Sequence, residues 1–473
     1  MATRVVILAA GVGKRMYSDL PKVLHPLAGK PLIEHVLQTA LTVAPGQPPI
    51  VVCGHGATQL RAVLGHYSPV WVEQEKQLGT GDALRQALPV LQDDEQVLVL
   101  YGDVPLIAVK TLQRLLSETP REGLGLVTAK LANPSGYGRI QRNAQNQVQA
   151  IIEEKESDEQ SRQIQEINAG IYCVAASALK QWLPSLSNQN AQGEYYLTDI
   201  LSLALAEGKK IHTIQPERIE EILGVNDRLQ LNQLERFYQR REAEKLMRQG
   251  LNLADPARFD LRGELIVGRD VSIDVNVVIE GRVVLADGVK IGPQVYLRNT
   301  QVGKATEIKA NSVLDGVEVA EHCFVGPFAR LRPGTVLAAK VEVGNFIEIK
   351  NSYIDLQSKV HHLGYIGDTE IGKRVNIGAG TITCNYDGVN KHQTIIGDDV
   401  FVGSGTELVA PVKVGQGAFI GSGSTITQEV PAKELTLARA RQLTIEGWQH
   451  PAKKKANCTR PLTKNPSPAS GRG

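Results

Sequence analysis

From Met1 to about Gly224 the chain alternates short, continuous apolar runs with amphipathic stretches: RVVILAAG, PIVVCGHG, PVWVEQ, QVLVLYGDVPLI, GLGLVTAKL and INAGIYCV. Runs without polar alternation, bounded by helical patterns, predict buried and mostly parallel strands of an α/β sheet. Ligands of such sheets bind beyond the carboxyl ends of the strands. The stretch VNDRLQLNQLERFYQRREAEKLMRQG then spaces Leu229, Leu231, Leu234, Phe237, Tyr238, Leu246 and Met247 mostly at helical intervals. It predicts a connecting helix with charged faces, ended by Gly250.

Beyond this helix the period changes to six. Val267, Ile273, Ile279, Leu285, Ile291 and Leu297 follow that step, and so do Ile396, Val402, Leu408, Val414, Ile420 and Ile426. Between these blocks the phase slips but the step survives, as in Val319, Val325, Leu331, Leu337, Val343 and Ile349. A hexapeptide step with Gly often one residue later predicts a parallel β-helix, each inward aliphatic stacking on its counterpart one strand onward. After Trp448 the chain becomes rich in Pro, Ser and Lys, and a disordered tail is expected. The expected divisions are an α/β domain over 1–226, a helical linker over 227–250, a β-helix over 251–448 and the tail over 449–473.

Length changes this picture little, since 473 residues call for two or three domains. A net charge of +2 from 52 basic and 50 acidic residues gives no global footprint of a nucleic-acid binder, and small-molecule partners are expected instead. Cys53, Cys173, Cys323, Cys384 and Cys458 are scattered, without a C-x-x-C pair, which fits a reducing, cytoplasmic location and no structural zinc. The run Val5 to Ala10 is shorter than the roughly 7–15 residue apolar core of a secretory signal. No run of about 18 apolar residues predicts a membrane span.

The first candidate chemistry lies where the first run meets Gly11-Val12-Gly13, because glycine lets backbone N–H groups approach an anion closely. A P-loop would need Gly where Leu8 stands and Ser or Thr where Arg15 stands; the dinucleotide fingerprint would need Gly at Met16. Neither motif applies. Arg15 and Lys22 would be poorly placed in a core, whereas opposite unit charges at 4 Å attract by about 4 kcal/mol at an effective dielectric near 20. A nucleoside triphosphate would suit them.

LAAGVGKRM, SDLPKVL, QLGTGDA, YGDVPL, GYGRI, EINAGIY and GVNDR together resemble the sugar-nucleotidyltransferase half of the bifunctional GlmU family. GPFARLRPG, VGNFIEIKNS, HHLGYIGD, NIGAGTITCNYDG and FVGSGTELVAPV are similar to its acetyltransferase half, and the likeness spans roughly residues 3–450. It implies an α/β Rossmann-like nucleotidyltransferase domain followed by a left-handed parallel β-helix. The implied reactions are N-acetylation of glucosamine-1-phosphate by acetyl-CoA, then Mg²⁺-dependent uridylyl transfer from UTP to N-acetylglucosamine-1-phosphate. Pyrophosphate leaves, and the product, UDP-N-acetylglucosamine, serves cell-wall synthesis.

In the first half the resemblance places Leu8, Ala9, Ala10 and Gly11 along the uridine nucleotide, with Arg15 and Lys22 on its phosphates. Gln74, Gly79 and Thr80 would read uracil, since an amide offers both a donor and an acceptor. Tyr101, Gly102, Asp103 and Asn226 are expected to contact the substrates, and Asp103 with Asn226 would hold Mg²⁺, a cation that keeps waters and takes few protein ligands. Gly138, Glu153 and Asn168 would hold the sugar hydroxyls. Lys14 departs from the family pattern, standing where a small hydroxyl residue is common and adding charge at the mouth of the nucleotide loop.

The second reaction needs a base and a polarised thioester carbonyl. His361 and His362 are adjacent, so on an extended coil they point to opposite faces and only one serves easily as base. The resemblance selects His362, whose imidazole, with a reference pKa near 6.5, suits proton removal at neutral pH. Glu348 is expected to orient that base or help fix the substrate, with Arg332 and Lys350 on the sugar phosphate. Tyr365, Asn376 and Asn385 would contact the sugar, with Asn385 and Tyr386 also near the thioester. Ala379, Ser404, Ser422 and Arg439 would line acetyl-CoA, Ser422 replacing a frequent alanine. Members of the family assemble as homotrimers, and one is expected here. Two other readings stay open: a nucleotidyltransferase whose β-helix is only a scaffold, and a non-catalytic sensor of sugar nucleotides.

Overall fold

The computed structural model describes residues 2–448, so the expected tail lies outside the described residues. All six apolar runs of the first half form strands: Thr3–Ala9, Ile50–Cys53, Val70–Glu73, Gln96–Tyr101, Leu124–Lys130 and Glu166–Ala175. In the sheet Thr3–Ala9 lies between Gln96–Tyr101 and Ile50–Cys53, parallel to both. After Thr3–Ala9 the chain builds outward on one side through Ile50–Cys53 and Val70–Glu73, then crosses to the other with Gln96–Tyr101. That reversal opens a crevice at the carboxyl ends of Thr3–Ala9 and Gln96–Tyr101.

The residues of Thr3–Ala9 show why the runs carry no polar alternation. Val5 and Ile7 face one core with Ile33, Val36 and Leu37, while Val6 and Leu8 face a second with Leu84 and Trp182. Glu166–Ala175 departs from the parallel expectation, running antiparallel to both Gln96–Tyr101 and Leu124–Lys130. Its start, not its end, therefore reaches the crevice, and Asn168 is delivered there. Two further pieces carried too weak a pattern to predict: the hairpin Arg139–Arg142 with Val148–Ile152, and the edge strand Ile211–Ile214.

The linker helix runs Arg228–Arg248, its first turn capped by the Asp227 carboxylate, which accepts from the Gln230 N–H at 2.8 Å. The apolar stripe read from sequence is too wide: Leu229 is 68% exposed, and Phe237 and Met247 are also exposed. The helix packs on two surfaces in turn. Leu234 joins Met16, Leu27 and Leu32 of the first domain, and Ala243 and Leu246 join the first coil of the second. Between them the buried Gln239 amide accepts from the Leu261 N–H at 2.7 Å and donates to the Leu261 carbonyl at 2.9 Å, standing in for a missing neighbouring strand.

The second half is a left-handed parallel β-helix. Leu261, Ile279, Leu297, Leu314, Leu331, Ile349 and Ile366 stack one above another in register, so each coil holds 17 or 18 residues. Three hexads make a coil, and a coil one residue short slips the phase, which explains why the step survived while the register did not. The six-step aliphatics are buried throughout, apart from the half-buried Val267 near the start. Ile377 stacks on Val402, and the coil between them is lengthened by a projecting loop over residues 386–392. No helix among the described residues is long and apolar enough to cross a membrane.

Candidate active sites

Thr3–Ala9 ends at the sheet crevice, and Leu8, Ala9, Ala10 and Gly11 line a cavity of about 300 Å³ with Lys22, Gln74, Gly79, Thr80, Tyr101 and Asp103. It runs into a second cavity of about 420 Å³, bordered by Arg15, Gly138, Glu153, Asn168 and Asn226; Thr80, Tyr101, Asp103 and Glu194 line both. Gly102 lines neither one: its N–H donates to the Leu8 carbonyl at 2.9 Å, and a Cβ there would meet the Val23, Ala9 and Ile33 side chains within 3.2–3.4 Å. Lys14 also lines neither.

The two glycines of the loop do different things. A Cβ on Gly11 would meet open space, leaving room for a ligand beside the backbone. At Gly13, with φ +68°, a Cβ would lie 2.5 Å from the Lys22 Cβ, so only glycine allows Lys22 to press against the turn. The Lys22 ammonium pairs with the Asp103 carboxylate and lies 3.4 Å from Asn226 Oδ1. A cation already sits between one carboxylate and one amide oxygen, a hard donor pair of the kind Mg²⁺ uses alongside phosphates and water. Among the described residues no larger cluster of His, Cys, Asp or Glu is placed for a metal.

The buried Gln74 amide spends its NH₂ group on Asp82, at 2.8 Å, and on the Gly79 carbonyl, at 3.2 Å. Its carbonyl oxygen is left free to accept, so toward the cavity Gln74 is an acceptor, where the sequence alone allowed either role. In the second cavity Glu153 accepts from the Thr198 hydroxyl at 2.8 Å, and burial pushes its carboxyl up. Asn168 donates to the Tyr172 hydroxyl at 2.6 Å and accepts from the Gly170 N–H at 3.0 Å. Beneath this wall the buried Arg139 reaches the Tyr137 carbonyl and, at 2.7 Å, Glu154, tying the 136–138 turn to the segment carrying Glu153. Sequence reasoning missed Gln77, Glu194, Tyr196 and Thr198; the loop carrying Glu194 is held by Tyr195, which trades backbone hydrogen bonds with Leu78 and Gly81 at 2.8 Å, a tie without periodic signature.

In the β-helix, coil stacking sorts the candidates. Asn345 and His362 lie side by side on adjacent coils. Above His362 the same corner carries Ala379, Ser404 and Ser422, linked by bonds from the Gly405 N–H to the Ala379 carbonyl at 2.7 Å and from the Gly423 N–H to the Ser404 carbonyl at 2.8 Å. Arg439 tops the column, donating to the Ser422 carbonyl at 2.6 Å. That contact is through backbone, so Ser in place of Ala leaves it intact.

The coil face next to this corner carries Glu348 and Tyr365 in register. At its far corner Lys350 lies 3.8 Å from Asp368, whose carboxylate also takes the Asn351 and Asn385 amides and is thereby pulled below the usual carboxylate range despite partial burial. Tyr365 and Asn385 close over Gly367, where a Cβ would come within 2.5 Å of the Tyr365 hydroxyl. Lys391, from the projecting loop and unforeseen in the sequence, crowds Lys350, and the two like charges lower its pKa. With Arg332 these ammonium groups concentrate positive charge suited to a phosphate. Tyr386 is exposed on the loop and donates to the Gly388 carbonyl.

Two expectations change. Of the two roles expected of Glu348, contact with His362 is not seen: its carboxylate is engaged by Arg332 at 2.9 Å, as a group fixing the substrate could be, and the group on His362 Nδ1 is Asn345 Oδ1, at 3.0 Å. Asn376 does not join Tyr365 within one chain, because it stands on the preceding face, in register with Lys359 and Phe401. His361 turns away, its Nε2 2.9 Å from Glu342, which also pairs with Lys359 at 3.1 Å.

Profiles of known families match in the same order as the domains. The MobA-like NTP transferase domain matches residues 5–250, the GMPPB C-terminal domain 261–359, and the six-repeat bacterial transferase hexapeptide 393–428. A candidate glucose-1-phosphate thymidylyltransferase structure from Bacillus anthracis, solved with a sucrose, is 17% identical with a TM-score of 0.40, covering 50% of this chain and 94% of that one. The bifunctional protein GlmU of Marinobacter nauticus is 55% identical over 449 residues, which cover 95% of this chain and 99% of that protein. A nucleotidyltransferase sheet joined to a hexapeptide β-helix, with that identity over nearly its whole length, makes this chain a member of the bifunctional GlmU family.

Proposed function

We propose that the two sites act in sequence to make UDP-N-acetylglucosamine in the cytoplasm, the β-helix acetylating glucosamine-1-phosphate with acetyl-CoA and the sheet crevice coupling the product to UMP from UTP. The observation carrying the first domain's role is the pair of joined cavities that share Asp103, one lined by the strand end and Gln74, the other by Glu153 and Asn168. On this reading UTP occupies the first and the sugar phosphate the second, and the sugar's phosphate oxygen attacks the α-phosphorus in line. Lys22 and Arg15 then neutralise charge on the phosphates while pyrophosphate leaves, and the chain supplies mainly positioning. Asp103 and Asn226 are the residues that would hold Mg²⁺, which when bound supplies further neutralisation of the triphosphate.

In the second site His362 takes the proton of the attacking amine, Arg332, Lys350 and Lys391 hold the sugar phosphate, and the Ala379–Ser404–Ser422–Arg439 column receives acetyl-CoA. A pure scaffold has no use for a histidine at one corner of a coil face and three cations gathered at the other. The position of Asn376 on a different face supports a homotrimer, in which a neighbouring copy completes the site; stacked, exposed Phe401 and Phe419, 4.5 Å apart, offer apolar surface for that contact. Light scattering should give three times the chain mass.

Assays of both half-reactions in wild type, Asp103→Ala and His362→Ala test the assignment. The Asp103 change should reduce uridylyl transfer by about 10²-fold or more and spare acetylation. The His362 change should do the reverse, by roughly 10²–10⁴-fold. A wild type that never acetylates glucosamine-1-phosphate would leave the scaffold reading.

A further inference from the structure

We infer that Asn345 is a positioning residue for acetyl transfer, fixing the tautomer and ring plane of His362; this rests on the reading of His362 as the base. A neutral imidazole carries one hydrogen, and the nitrogen without it is the only one able to accept a proton. Asn345 Oδ1 faces His362 Nδ1 at 3.0 Å, so Nδ1 carries the hydrogen and Nε2 keeps its lone pair. As the N–C bond forms, the amine proton goes to Nε2. The thioester C–S bond then breaks with its electron pair going to the coenzyme A sulfur. With the hydrogen on Nε2 instead, the first of these transfers has no acceptor.

The surroundings make Asn345 the partner that decides. Its coil lies directly beneath that of His362 and in register with it, so the contact is built into the β ladder and is independent of any loop. The other neighbours are engaged elsewhere: Glu342 holds His361 and Lys359, and Glu348 holds Arg332, with Arg330 3.7 Å away. The His361 ring stands edge-on to the His362 ring, with centroids 5.9 Å apart, but its Nε2 is turned to Glu342 and it makes no hydrogen bond to Nδ1. His362 is exposed, so without Asn345 its ring would rotate and exchange tautomers through water.

The test compares Asn345→Leu, which removes the acceptor, with Asn345→Asp, which keeps an oxygen that can only accept. Uridylyl transfer by the same preparations serves as the control for folding. Asn345→Leu should lower kcat for acetyl transfer by at least tenfold, bounded by the roughly 10²–10⁴-fold a positioned base contributes, with both KM values within about twofold of wild type. Asn345→Asp should restore most of that kcat and move the acid limb of its pH profile upward, because a carboxylate beside Nδ1 favours the imidazolium. On a His362→Ala background, Asn345→Leu should add nothing. The inference is overturned if Asn345→Leu leaves kcat unchanged, if its loss appears in KM, or if Asn345→Asp is as impaired as Asn345→Leu. His362→Ala that retains acetyl transfer would instead overturn the base reading, and with it this one.

Discussion

Glu153 shows how a cavity-lining carboxylate can oppose stability. Burial is the main cause of its raised pKa, opposed by the Thr198 hydroxyl, so the folded chain holds that proton more tightly than the unfolded one. A raised carboxyl contributes stability fully only below its unfolded value, and the contribution is lost as pH rises through the folded value. Ionising the group in the folded chain works against that preference, and on the proposed reading the carboxylate serves as an acceptor for sugar hydroxyls. Glu153→Gln should therefore raise the melting temperature at pH 7.5, with the gain vanishing toward pH 4, while KM for N-acetylglucosamine-1-phosphate rises roughly 10–100-fold through loss of a charged hydrogen bond. Calorimetry across pH and uridylyl kinetics check both halves; a change in KM for UTP alone would place Glu153 outside the sugar cavity. At this scale the sequence revealed residues that stand at strand ends or in glycine turns, such as Leu8, Gly13 and Asp103. It did not reveal Glu194 or Lys391, which arrive on loops without periodicity, nor the partner of His362. Asn345 is separated from His362 by one coil, and coil length is legible only once the strands are stacked.

Elements built on a repeated period were read well from the chain, and those that depend on one polar side chain were not. The six apolar runs became strands because both faces of the sheet are covered, and the six-residue step became coils because each aliphatic stacks on the next. The reversal of Glu166–Ala175 left no trace in hydropathy, since a buried strand looks the same in either direction. The linker helix was foreseen while its packing was not, because Gln239 is read as polar surface and is in fact 2% exposed. Its amide satisfies both backbone groups of Leu261, where the β-helix begins and no strand lies below. Gln239→Leu keeps the shape and strands that N–H and carbonyl, a change costing about 1–3 kcal/mol. Amide exchange at Leu261 should quicken by one to two orders of magnitude while exchange at Ile349, deep in the stack, stays as in wild type. Equal protection at Leu261 in both proteins would show that water replaces the amide without penalty.

For the whole molecule, the question is where the first catalytic unit ends. A boundary at residue 226 follows the change in sequence pattern, but the helix after it is fastened to the crevice. The Val225 N–H bonds the Asp103 carbonyl at 2.9 Å, and Gln230 accepts from the Asn226 N–H at 2.7 Å, so the helix start holds Asn226 beside Asp103. The helix's first residue, Arg228, reaches the Met16 carbonyl at 3.3 Å, at the end of the turn carrying Arg15. Glu235 accepts from the Ala28 N–H at 2.7 Å, and Leu234 is buried beside Leu27 and Leu32, a burial worth about 1.5–3 kcal/mol. A chain ending at residue 250 keeps all of these contacts and should retain uridylyl transfer within a fewfold of the full chain, with no acetyl transfer. A chain ending at residue 226 loses them together, leaving Asn226 at a frayed terminus, and should fall by more than tenfold in kcat/KM. Equal activity of the two fragments would mean that Asn226 finds its place without the helix, and that the helix serves only to join the sheet to the coil.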